Sequence, residues 1–356
     1  MYVVTGASGQ TGRTTTLHLL NQGHEVRAVG RTAERLADLA DRGAQVHEAD
    51  PSDVEALAAA FADAEGIYAV IQPNYIPDHP DFGAFQDRIA ASITDAVVIS
   101  GATRVVGLSR WGAQHATGTG PVKGLHRFEV RLSSVPGVDT LWLRAGYFME
   151  NLLGHADDVR NHGRVIAPFP PDAAMPFIST EDVGAAAARA LTEQTWSGMQ
   201  VRELQGERDV TMADVTKAIG AALDLPGLTY EQCSIAAFEE GLRSAGVSED
   251  VASMMGEVGE AVNSGHLRMV QPRSPRRPRK PLSSASLRTC SGRTTTRPLS
   301  TATVLAVTAG QLSRWSGYGW GPCSCVPQLS GFSGVWRGIG AGQAVAPSAK
   351  GRKCLV

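Results

Sequence analysis

The sequence predicts an α/β fold, a doubly wound parallel sheet followed by a smaller α+β layer and a tail of different character. Three observations predict it. Short apolar runs alternate with amphipathic stretches over the first 150 residues, as expected of strands buried on both faces by crossover helices. A glycine turn, Gly6-Ala7-Ser8-Gly9-Gln10-Thr11-Gly12, joins the first apolar run to the first helical one. The composition then changes abruptly, because none of the 35 acidic residues but 14 of the 33 Lys and Arg lie beyond Glu260.

Residues 2–5 read as a short buried strand and 14–20 as part of the helix that follows it. Between them Gly6 permits a tight turn, Gly9 removes the Cβ that would keep a pyrophosphate off the backbone, and Gly12 lets the helix pack on the strand. Ser8, Gln10 and Thr11 complete the cradle, and the helix N-terminus offers it unpaired N–H groups and a partial positive charge. A glycine-rich turn without a ligand would carry the same letters. What separates the two readings is a second strand, 24–29, ending in Gly30-Arg31. Arg31 stands nineteen positions after Gly12, where a Rossmann-type fold reads the ribose. An arginine there pairs with a 2′-phosphate rather than accepting from a free 2′-hydroxyl, so NADP(H) is favoured over NAD(H). The alternative for Arg31 is a solvated loop cation.

A helix over 32–42 is stopped by Gly43, and a third strand, 45–49, ends in Asp50-Pro51. Ser52 is the expected N-cap of a helix over 54–62. Strands at 66–71, 104–109 and 140–144 complete the sheet, whose carboxyl ends should line the crevice. Asp50 is expected beside the adenine, Gln72 and Pro73 beside the ribose and nicotinamide, and Ser109 at the end of its strand. Asp50 could equally serve the turn before Pro51, and Ser109 could be a hydroxyl satisfied by backbone. Residues 1–150 thus form a nucleotide-binding core. Residues 151–270 form a smaller subdomain with strands at 163–167, 175–178 and 199–204. Ser179-Thr180-Glu181-Asp182 caps a helix over 183–191, and further helices are expected at 211–223, 235–245 and 251–263.

The tail, 271–356, admits three readings. A basic arm for nucleic acid would use Arg273, Arg276, Arg277, Arg279 and Lys280, but Trp315, Trp320 and Trp336 show no stacking repeat. Cys323 and Cys325 are too close for a zinc knuckle and no histidine follows them, so no metal is expected. The reading favoured is a shifted frame in GC-rich coding DNA, with a disordered extension next; neither predicts a nucleic-acid partner. Cys233 reads as an inert thiol. With 43% hydrophobic residues the chain can bury a sizeable core. No run reaches membrane-spanning length, and Met1 leads directly into a strand, so a cytoplasmic location is expected.

Five blocks together resemble the NmrA-like branch of the atypical short-chain dehydrogenases. They begin with Val4 to Arg13, Val26 to Arg31 and the Leu125-His126-Arg127-Phe128-Glu129 segment. Thr140 to Asn151 and Pro176 to Val183 complete the set. The resemblance covers about residues 1–265. It implies a Rossmann core and NADP(H). It also implies either reduction of a quinone or a small carbonyl or enone compound, or a cofactor-sensing role without catalysis; a homodimer is compatible with both. Short-chain dehydrogenases use a Tyr-x-x-x-Lys pair as proton relay, and here the spacing ending at Lys123 begins with Thr119, far too weak an acid. His126 is the remaining candidate acid, unless it is bonded to Glu129 or to backbone. A quinone relaxes that need, since its hydroquinone anion can take a proton from water. Asn151 could orient a ligand or cap a helix, and Tyr147 and Phe148 are expected at the junction of the two layers.

Overall fold

The alternation seen in the sequence closes into a sheet in a computed structural model, which describes residues 1–71, 79–193 and 195–273. The strands are β1 (Tyr2–Val4), β2 (Val26–Gly30), β3 (Gln45–Glu48), β4 (Gly66–Ala69), β5 (Arg104–Arg110) and β6 (Asp139–Ala145). They are followed by β7 (Tyr147–Phe148), β8 (Arg164–Ala167), β9 (Phe177–Ile178), β10 (Met199–Leu204) and β11 (Thr229–Gln232). Seven of them form one parallel sheet in the order β10-β6-β5-β4-β1-β2-β3. The order reverses between β1 and β4, and ligands of such folds bind outside the strand ends at that switch point. β10 returns from the second layer to extend this sheet beside β6. The pairs β8–β11 and β7–β9 stand apart.

The helices are α1 (Gln10–Asn21), α2 (Ala37–Ala40), α3 (Val54–Phe61), α4 (Phe82–Ser100), α5 (Val122–Ser133), α6 (Ala156–His162), α7 (Thr180–Thr192), α8 (Met212–Leu223), α9 (Ile235–Ser244) and α10 (Glu249–Asn263). One face of the sheet buries Val3, Ile67, Val105 and Trp142 under α3, α4 and α5. The other buries Val4, Tyr68, Val106 and Leu143 under α1, α2 and α7. A third cluster, around Trp111, Phe177, Val215 and Val262, fills the smaller layer.

Two expectations are corrected, and one helix is added. The cap of α3 is Asp53, whose carboxylate accepts from the Ala56 N–H at 3.0 Å, while Ser52 turns back to Asp50. The helix expected over 32–42 is a 3₁₀ turn, Ala33–Leu36, and one α-turn, because the tighter turn buries both Leu36 and Leu39 beneath β2. α4 was not anticipated, although Asp81 caps its start and left-handed Gly101 ends it. Gln72, Pro73 and the tail from residue 274 lie outside the described residues.

Beyond α10, residues 264–273 run back across the sheet's carboxyl edge. Leu267 is buried in the third cluster against Gly112, and the Met269 side chain lies beside Gly146. Val270 and Gln271 donate their N–H groups to the buried Glu203 of β10, both at 2.7 Å, and the Gln271 amide bonds the backbone of Val201 and Glu203.

Candidate functional site

Thr5 fixes the start of the site, its hydroxyl donating to the Tyr68 carbonyl and accepting from the Val70 N–H, both at 3.0 Å, so the ends of β1 and β4 are tied. The chain then turns through Gly6 at φ +60°. The Gly9 N–H returns to the Gly6 carbonyl at 2.9 Å, and the Ala7 N–H bonds Val29 of β2 at 3.1 Å. A Cβ on Gly12 would lie 2.3 Å from the Gly6 oxygen and 2.8 Å from its carbonyl carbon, so α1 is pressed against the turn closer than any other residue allows. Gly9 is the N-cap of α1 and brings no side chain to its first turn, whose N–H groups stay available to a ligand. Ser8 is half-buried, Gln10 exposed and Thr11 buried.

Arg31 follows β2 directly and is exposed, and among the described residues its guanidinium makes no hydrogen bond or ion pair. Asp50 lies close by at the end of β3. Its carboxylate accepts from the Ser52 N–H at 2.8 Å and the Ser52 hydroxyl at 2.5 Å. Those bonds, with Arg31 contributing, hold its carboxyl below the usual range. The geometry therefore gathers the glycine turn, Arg31 and Asp50 at the carboxyl ends of β1, β2 and β3.

Ser109 and His126 belong to the opposite face of the sheet from α1. Ser109 is fully buried and donates to Glu129 of α5 at 2.5 Å. The same carboxylate takes two bonds from Arg144 of β6, at 3.0 and 2.6 Å. This buried ion pair was not read from the sequence, because its three members come from different elements and no local spacing joins them. His126 Nδ1 lies 2.8 Å from the Ala113 carbonyl, the backbone alternative considered for it. With Ser133, Arg144 and Met199 it lines an open groove of about 380 Å³ beside α5.

A family model described as the NmrA-like family matches residues 2–280. The chain belongs to the NmrA-like family. Among curated relatives, it is 27% identical to quinone oxidoreductase 2 of Escherichia coli (strain K12) over 276 residues, 75% of this chain and 90% of that one. It is 25% identical to the NAD(P)H azoreductase of Xenophilus azovorans over 260 residues, covering 72% and 86%. Two solved structures share the fold. An E. coli NADPH-dependent quinone oxidoreductase complexed with NADPH has a TM-score of 0.65 at 23% identity, covering 76% of this chain and 91% of that one. A Citrobacter triphenylmethane reductase complexed with NADP(H) has a TM-score of 0.65 at 19% identity, covering 76% and 93%.

This NmrA-like chain puts the two ends of the Thr119-x-x-x-Lys123 spacing to structural use. Thr119 is fully buried. Lys123 donates to Glu257 at 2.7 Å and so ties α5 to α10. Tyr147 packs edge-on against Phe177 at 5.0 Å and Phe169 at 6.2 Å, within the third cluster, whereas Phe148 packs against the cluster under α1 and α7. Glu150 accepts from the Thr180 N–H and hydroxyl at 2.9 and 2.7 Å, and burial raises its pKa. Asn151 is exposed in the 3₁₀ turn Met149–His155. Cys233 is half-buried, and burial pushes its thiol up, away from thiolate chemistry. Among the described residues, no helix is long and apolar enough to cross a membrane.

Proposed function

We propose that this chain is an NAD(P)H-dependent oxidoreductase that favours NADPH and reduces a quinone or a related small electrophilic carbonyl or enone compound. The observation that carries the reading is the close seating of α1 on the glycine turn, where a Cβ on Gly12 would lie 2.3 Å from the Gly6 oxygen, with no side-chain cap on the first turn of the helix. Such a turn suits a dinucleotide. The turn and the first N–H groups of α1 would hold the pyrophosphate, and Arg31 would hold a 2′-phosphate with charge-assisted bonds. When bound, the nicotinamide supplies a hydride. Positioning an acceptor against it is then the main task left to the protein, because a quinone that gains a hydride becomes a hydroquinone anion that water can protonate. The names of the curated relatives support this acceptor class.

A second reading, a non-catalytic sensor of NADP(H), is favoured by one observation: the spacing that ends at Lys123 begins with the buried Thr119, and Lys123 itself is paired with Glu257, so no tyrosine–lysine pair stands at that spacing. Spectrophotometric NADPH oxidation with a panel of quinones separates the two. Turnover is expected; tight NADPH binding without turnover would instead establish the sensor. We further propose a homodimer and a cytoplasmic location. A monomer mass by light scattering would overturn the homodimer, and membrane or extracellular fractionation the location.

A further inference from the structure

Arg110 is the last residue of β5. Side chains alternate along a strand, and Ser109 points to Glu129 on the α5 side, so Arg110 points to the face that carries α1 and α7. It is half-buried, and its Nε is closed to solvent without a hydrogen-bond partner among the described residues. The contact it does make is with an aromatic ring, its Cζ standing 5.7 Å from the centroid of Phe148. Other partly buried arginines use their Nη atoms, Arg144 on Glu129, Arg27 on the carbonyls of Ala60 and Ala62, and Arg104 on those of Glu193 and Trp196, although the Nε of Arg104 is unpartnered like that of Arg110.

A guanidinium keeps its proton at any accessible pH, and a half-buried one whose Nε has no partner among the described residues has donors free for an anion. At the carboxyl end of a central strand, beside an aromatic ring, it complements an aromatic ligand that carries an oxyanion. The cofactor's own phosphates have other partners. The glycine turn follows β1, two strands and so about 10 Å from β5, and Arg31, just after β2, lies farther still. We propose that Arg110 reads a sulfonate or carboxylate on an aromatic electron acceptor, so that the preferred substrates are aromatic electrophiles with an anionic substituent. This rests on the reductase reading and narrows its substrate class.

The test is NADPH oxidation by the full chain with 1,2-naphthoquinone and with its 4-sulfonate, in the wild type, R110Q, R110K and the exposed-surface control R131Q. The wild type should show the lower KM for the sulfonate. R110Q should raise the sulfonate KM about tenfold relative to that of the neutral quinone, R110K should retain part of the preference, and R131Q should leave it unchanged. An unchanged ratio of the two KM values in R110Q and R110K would overturn the proposal. So would a rise in the NADPH KM equal to that for the sulfonate, which would assign Arg110 to the cofactor. If the wild type oxidises no NADPH with any quinone, the reductase reading fails separately. Calorimetry with 2-naphthalenesulfonate and 2-naphthol in the presence of NADP⁺ then decides: selective loss of sulfonate binding in R110Q sustains the anion site, and equal binding removes it.

Discussion

The two inner glycines of the turn should fail in different ways when given a methyl group. In Gly12→Ala the new carbon would sit 2.3 Å from the Gly6 oxygen, 2.8 Å from its carbonyl carbon and 3.1 Å from Ala7 Cα. All three are backbone atoms that cannot swing aside. The first turn of α1 must withdraw by about 1 Å, an overpacking that costs about 1–3 kcal/mol and lowers Tm by roughly 2–12 °C. The same withdrawal lengthens the bonds from its N–H groups to a bound phosphate. Losing one or two such charge-assisted bonds raises the Kd for NADPH about ten- to a thousandfold. In Gly9→Ala the methyl meets the Gly6 oxygen alone, at 3.2 Å, which a small adjustment relieves. Its Tm should stay within about 2 °C of the wild type, yet NADPH affinity should fall, because the methyl stands where the diphosphate approaches. Thermal melts and calorimetric titration read the two effects independently. A Gly12→Ala protein with unaltered Tm and Kd would refute the reasoning, as would a Gly9→Ala protein that melts early and still binds normally.

Arg31→Asp should weaken NADPH binding by about 1.5–3 kcal/mol while NADH binding falls less, since the lost contact is to the 2′-phosphate; equal affinities for NADPH in variant and wild type would remove the assignment. Glu129→Ala leaves the Arg144 guanidinium buried and unpaired, and should cost about 3–5 kcal/mol, whereas Glu129→Leu with Arg144→Met together should cost far less. Chemical denaturation checks it, and additive losses would mean that the pair is not coupled. Burial, then the neighbouring His266 and Arg268, with Arg144 farther off, hold the His115 imidazole below its ordinary value. The unfolded chain therefore binds the proton more tightly, so stability is complete above the ordinary histidine pKa, about 6.5, and declines as pH falls below it. His115→Gln should flatten the fall of Tm between about pH 7 and pH 5; identical slopes would exclude the contribution.

Much of the amino-terminal half was legible because its signals are local. The first strand, the glycine turn and the helix after it are one continuous stretch in which period, turn residue and helix start agree, and the structure places all three together. Local signals also mislead where two neighbours compete: Ser52 and Asp53 are both good caps, and Asp50 settles the choice by accepting from Ser52. The stripe of α4, Phe85, Ile89, Ile93 and Val97, is blurred in the sequence because polar Gln86, Ser92 and Thr94 are buried beside it while Val98 and Ile99 stand exposed. What was not legible depends on distant pairing. Nothing within 199–204 announces that it extends the main sheet beside β6. Ser109, Glu129 and Arg144 become one network only when α5 packs over β5 and β6. Arg110 could have been found from the alternation of its strand, once Ser109 was set facing the helix.

The buried carboxylate of Glu203 lies on the outermost strand of the sheet, yet the donors that neutralise its isolation are the amides of Val270 and Gln271. On a ribosome these groups emerge long after the strand they serve. The edge strand can thus dock early but is consolidated only when synthesis has passed the last of these amides, so a stalled or shortened nascent polypeptide would leave that margin open to association with other chains.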